Sequence, residues 1–99
     1  MSINAKRYLE KVRGKLTLGS AMRSIRLCEE ESQTAFSKKL KISTQYLCDL
    51  EHNRKIISPK KAKKFAEILG YSPEQFVALA IQDSLDRDRI RMLVEIKAA

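Results

Sequence analysis

Apolar residues recur along most of this chain at spacings of three and four, the period of helices with one buried face. Ala5, Leu9 and Val12 lie opposite Lys6, Glu10 and Arg13 and predict a short helix over residues 3–13, ended by Gly14. Leu18, Met22 and Ile25, with Ala21 beside them, predict a second helix from residue 18 to about 30, with Thr17 as its N-cap. Phe36 and Leu40 mark the inward face of residues 33–40, capped by Ser32, and Leu47 and Leu50 that of residues 44–52, capped by Ser43. Ser58-Pro59 and Ser72-Pro73 are the strongest start signals, a hydroxyl cap followed by proline at the first helical position. Ala62, Phe65, Ala66 and Leu69 line the helix that Gly70 stops, and Phe76, Val77, Ala80, Ile81 and Leu85 line the next.

The tail changes period. Ile90, Met92, Val94 and Ile96 share one face at spacing two, a strand pattern that Leu93 interrupts. One strand cannot stand alone. The expected solution is pairing with the same strand of a second copy, which makes these four residues a dimerisation site; the alternative is a frayed extension of the last helix. The chain thus divides into a helical extension at 1–16, a helical domain at 17–82 and a dimerisation tail at 83–99.

Composition narrows the class. Ninety-nine residues, 43% of them hydrophobic, suit one domain with a single core, and three glycines and two prolines suit an all-α body. The net charge of +8 favours a polyanionic partner. It is concentrated: residues 33–64 hold nine Lys/Arg against Asp49 and Glu51, a net of +7, whereas residues 71–99 hold four against five acids, a net of −1.

Other classes find little support. Cys28 and Cys48 fall in helical blocks without ligand spacing, so they read as thiols in a reducing cytoplasm, and neither a metal nor a cofactor is expected. His52 stands without a nucleophile, a base or a glycine-rich loop, which argues against an enzyme. The start MSINAKRYLEKV has no apolar signal core and no apolar run is long enough to span a membrane, so a cytoplasmic protein is expected. A basic helix lying on lipid would need an exposed bulky apolar face, but Leu47, Leu50, Phe65 and Leu69 are needed for the core.

Residues 33–40, the turn Lys41-Ile42-Ser43 and residues 44–52 have the spacing of a helix-turn-helix unit, with small Ser37 where the helices cross and Ile42 pinning the turn. Gln33, Leu40-Lys41-Ile42-Ser43, Tyr46-Leu47, Leu50-Glu51 and Ser58-Pro59 appear in the order of a known pattern. Over roughly residues 17–81 the chain resembles the Cro/C1-type (XRE-like) helix-turn-helix regulators, which implies a lambda-repressor-like five-helix fold and binding to operator DNA as a dimer. It departs from that pattern where Lys41 and Asn53 replace glycines. The lead-in NAKRYLEKVRGKLTLG and the tail LAIQDSLDRDRIRMLVEIKAA further resemble HigA-like antitoxins of type II toxin–antitoxin systems. That implies autoregulation and capture of a RelE/HigB-like toxin, a small basic ribonuclease. The acidic runs at 29–31 and 83–88, or residues 1–16, would meet the toxin. A stand-alone regulator with no toxin is the alternative.

In such a unit the third helix enters the major groove N-terminal end first, where uncharged side chains read base edges. Gln45 suits adenine, Thr44 can hydrogen-bond or touch a thymine methyl, and Asp49 can accept from cytosine. Gln33, Tyr46, Asn53, Arg54 and Lys55 are placed to contact phosphates. Lys60, Lys61, Lys63 and Lys64 read equally well as a phosphate-facing run and as solvated helix surface.

Overall fold

The computed structural model describes residues 16–99, so the helix expected over 3–13 lies outside the described residues. Among them the chain forms five helices: α1 (Leu18–Cys28), α2 (Gln33–Leu40), α3 (Thr44–Glu51), α4 (Pro59–Leu69) and α5 (Pro73–Arg87). Every one starts at a serine or threonine whose hydroxyl accepts a backbone N–H of the first turn. Thr17 and Ser20 form a reciprocal capping box, and Pro59 and Pro73 occupy first-turn positions as their spacing predicts. Each cap satisfies a donor that the helix itself leaves unpaired, for about 1 kcal/mol.

The ends are less regular than the starts. α1 stops at Cys28, short of the expected residue 30, and Glu30 turns the chain with φ 54°. Three consecutive carboxylates at Glu29–Glu31 would face the negative end of the helix dipole, which accounts for the early stop. Lys41 (φ 60°) and Gly70 (φ 76°) end α2 and α4 in the left-handed conformation. α5 runs through residue 82 to Arg87.

Phe36, Leu40, Leu47, Leu50, Phe65 and Phe76 are buried together with Leu18 and Met22 of α1, as their spacing predicts. Ile57, in the loop before α4, is equally buried although no periodicity marks it. Ile81 and Leu85 are half-buried. α1 and α3 cross so closely at Gly19 that a Cβ there would lie 1.8 Å from the Leu50 carbonyl oxygen. Glycine is required by space at this position. At the same crossing the backbone N–H of Leu18 donates to Asp83 Oδ2 at 3.0 Å, tying α1 to α5.

The expected C-terminal strand does not form. Residues 90–99 carry no strand, and no strand occurs among the described residues. Two contacts explain this. Met92 N–H donates to the Ile90 carbonyl at 3.0 Å, a tight turn that breaks the alternation. Gln82, buried on α5, then takes the place of a neighbouring strand: its Nε2 donates to the Met92 carbonyl at 2.8 Å and its Oε1 accepts from Val94 N–H at 2.9 Å. The four residues assigned to one face are therefore split. Ile90 and Met92 are exposed, while Val94 and Ile96 are half-buried along a groove with Leu79 and Gln82.

Candidate nucleic-acid interface

The helix-turn-helix unit is assembled as its spacing predicts. Lys41 makes the left-handed turn, and Ile42 N–H returns to the Ser37 carbonyl at 3.0 Å. Ser37, 2% exposed, fits between the helices and spans them, with its Oγ 2.9 Å from the Thr34 carbonyl and 3.2 Å from Thr44 Oγ1. Ile42 packs on the core. The sequence folds this way because small Ser37 allows the approach and Leu40, Leu47 and Leu50 reward it with buried area.

A buried ion pair, which apolar spacing cannot reveal, holds α3 from behind. Arg26 of α1 reaches Glu51 through Nε–Oε2 at 2.7 Å and Nη2–Oε1 at 3.0 Å, and its Nη1 donates to the Glu31 carbonyl at 3.0 Å. The Glu51 side chain is fully withdrawn from solvent. Burial alone would raise its carboxyl pKa, but hydrogen bonds from Arg26 and Gln33 outweigh that and hold it below the ordinary value. Gln33, expected at a phosphate, directs its side-chain amide inward to Glu51 Oε1 at 3.0 Å. Its place at the N-terminus of α2 is unchanged.

The outer face of α3 carries Thr44 and Gln45, both exposed, with Cys48 and Asp49 half-buried beyond them. Asp49 is the focus of this face. Gln45 Nε2 reaches its Oδ1 at 3.1 Å and Arg54 Nε the same oxygen at 2.8 Å, and Lys55 Nζ lies 3.7 Å from Oδ2. The Arg54 hydrogen bond, with help from Gln45, holds the Asp49 carboxyl below its usual range despite some desolvation. Arg54 Nη2 also donates to Cys48 Sγ at 3.3 Å. Cys28 and Cys48 are both free thiols.

Cations frame the helix. Asn53 adopts φ 60°, the left-handed conformation that asparagine tolerates, and its Oδ1 accepts from Thr17 Oγ1 at 2.6 Å, which anchors the loop to the start of α1. Arg54 and Lys55 follow it, both exposed. Tyr46 is half-buried and gathers two lysines, with Lys55 Nζ 5.5 Å and Lys61 Nζ 4.9 Å from its ring centroid. Lys61 also lies 3.4 Å from the Tyr46 hydroxyl. Of the lysine run on α4, Lys61 is thus the one shown beside α3, whereas Lys63 leans to Glu67 at 3.9 Å. Lys39 is drawn to the acidic turn, 2.6 Å from Glu31 and 3.5 Å from Glu29.

A short helix packed from behind, with hydrogen-bonding side chains outward and cations at its margins, defines a helix-turn-helix unit of the DNA-binding kind. Residues 32–76 match the helix-turn-helix family model, which supports a DNA-binding regulator of the Cro/C1 type. No curated protein and no solved structure matches the chain. Among the described residues no cluster of potential metal ligands occurs, and no helix is long and apolar enough to cross a membrane.

Proposed function

We propose that this protein is a sequence-specific, double-stranded DNA-binding repressor that acts as a homodimer on a two-fold operator at its own promoter. The observation that carries the proposal is the placement of Thr44 and Gln45 on the exposed start of α3, with Arg54, Lys55 and Lys61 beside the same helix. Neutral donors and acceptors read base edges, and cations anchor the phosphates on either side. Tyr46 and Asn53, with the backbone N–H of Gln33 at the start of α2, complete the phosphate-facing set in this reading. Two copies set α3 into successive major grooves about 34 Å apart, and the bound dimer occludes the promoter. Exposed Ile90, Met92 and Leu93 offer an apolar contact between subunits that needs no strand pairing.

The resemblance of the lead-in and tail to antitoxins supports a second role, neutralisation of a small basic ribonuclease. Within the two acidic runs, Glu29 and Glu31 already pair with Lys39, and Asp83 accepts from α1. Asp86 accepts from Gln82 Nε2 at 2.9 Å, which leaves Glu30 and Asp88 as exposed carboxylates there for a basic partner. Co-purification with the product of a neighbouring gene distinguishes an antitoxin from a stand-alone regulator.

The DNA-binding proposal is tested by a gel-shift titration on DNA from upstream of the gene, with scrambled DNA as competitor. Competitor-resistant binding at two chains per site is expected. With roughly 6–10 phosphate contacts per dimer, affinity should fall about 10³–10⁵-fold between 50 and 200 mM salt. Equal binding to upstream and scrambled DNA would refute sequence-specific autoregulation.

A further inference from the structure

We propose that Asp49 is a positioning residue for base recognition: it orients the Gln45 amide so that α3 selects a base bearing a major-groove amino group, adenine above all. The proposal rests on the DNA-binding reading above and names what that surface prefers.

A carboxylate can only accept hydrogen bonds, so the Gln45 group facing Asp49 Oδ1 at 3.1 Å must be its Nε2 and not its Oε1. This settles which way the amide points. One Nε2 proton is used by Asp49, and the other proton and the Oε1 acceptor remain. Adenine offers the complement of that pair, an N7 acceptor and an N6 donor. Cytosine offers an amino donor alone. Guanine presents N7 and O6, both acceptors, which an unrestrained glutamine can meet by turning both amide protons outward. Asp49 disfavours that turn, because it would leave the carboxylate facing the amide oxygen.

Asp49 is itself poorly placed to touch a base. Its side chain is 14% exposed and is already met by Gln45, Arg54 and Lys55. The direct cytosine contact suggested by its position on α3 would fall to Oδ2, where Lys55 Nζ already lies at 3.7 Å, whereas the orienting role uses the contacts as they stand. Arg54 adds a further constraint. Its Nε donates to the same Oδ1 that receives Gln45, so an acceptor must stay at that point even when the charge is removed.

Selection from a randomised duplex library tests this, with the full chain and the variants Gln45→Ala, Asp49→Ala and Asp49→Asn. The native chain should enrich adenine at one position per half-site, by on the order of ten- to hundredfold over guanine. Gln45→Ala identifies that position by abolishing its preference. Asp49→Ala should relax the same position toward guanine and leave the others intact; Asp49→Ser serves if the alanine variant loses its helical signal. Asp49→Asn, with Oδ1 still held by Arg54, should keep the adenine preference.

An unchanged preference in Asp49→Ala overturns the proposal. So does relaxation at a different position from the one that Gln45→Ala relaxes, which would make Asp49 a reader in its own right. If the native chain enriches no sequence at all, the DNA-reading function itself fails, and that outcome is distinct from the other two.

Discussion

Arg26 and Glu51 form a two-pronged ion pair behind the recognition helix, at 2.7 and 3.0 Å, with the Glu51 side chain wholly buried. It joins α1 to the end of α3, and Gln33 of α2 completes it. Three helices are therefore referenced to one carboxylate. The pair sits where any tilt of α3 would misplace Thr44 and Gln45.

Removing one partner leaves a buried charge unmatched. Arg26→Ala or Glu51→Ala should cost about 3–5 kcal/mol in urea unfolding. Replacing both with apolar residues of similar volume should cost much less than the sum of the single changes. Additive losses would show that the pair is not coupled.

The pH profile of stability should pass through a maximum at about pH 4, set by two carboxyls of opposite sign. Burial pushes Asp83 up from 3.8 to about 6, with Asp86 adding to the rise and the Leu18 hydrogen bond opposing it. Arg54, Lys55 and Arg87 line the same cleft. A carboxyl raised in the folded state contributes stability that is present below the unfolded value and lost as pH rises through about 6. Glu51, depressed when folded, contributes stability present above about 4.3 and lost as pH falls through its folded value. Asp83→Asn should flatten the slope between about pH 4 and 6, seen as melting temperature against pH. An unchanged slope would assign it to other groups.

Gly19→Ala should be strongly destabilising, by about 3 kcal/mol or more, because a Cβ 1.8 Å from the Leu50 carbonyl oxygen forces α1 away from α3. Thermal melting checks this. A loss below about 1 kcal/mol, or the gain of about that size that helix propensity alone gives for glycine to alanine, would mean that the two helices part easily.

Lys41→Gly should act in the opposite direction. Lys41 holds φ 60° and ψ 41°, where a side chain costs about 1–2 kcal/mol, and the added flexibility of glycine in the unfolded chain returns part of the gain. The net expectation is about 0.5–1 kcal/mol of stabilisation, read as a shift in the urea midpoint.

The contrast between the helix-turn-helix and the tail shows what residue spacing can and cannot convey. Helix starts were legible because Ser-Pro and Ser/Thr caps act within a few residues of themselves, and all five caps are where their residues predict. The exposed positions of Thr44, Gln45, Arg54 and Lys55 followed from periodicity. Ile57, the Arg26–Glu51 pair and the hold of Asp49 on Gln45 and Arg54 were not legible, since each depends on residues that the fold brings together. The tail failed for the same reason. Spacing two reports an extended chain, but it cannot say that the Gln82 side chain would supply the hydrogen bonds.

Gln82 thus has its own test. Gln82→Ala should release the tail, and the Val94 amide, which donates to Gln82 Oε1 at 2.9 Å, should exchange faster with solvent while the core amides of α3 keep their rates. Unchanged exchange at Val94 would show that the tail is held by other contacts.

The most direct test of the account compares Gln45→Ala and Arg54→Ala by fluorescence anisotropy on the selected operator and on scrambled DNA. Gln45→Ala should lose about 1–3 kcal/mol on the operator and almost nothing on scrambled DNA, because base contacts carry sequence and phosphate contacts do not. Arg54→Ala should weaken both duplexes alike and shallow the salt dependence. Equal losses on both duplexes for Gln45→Ala would contradict the claim that the exposed start of α3 reads DNA sequence.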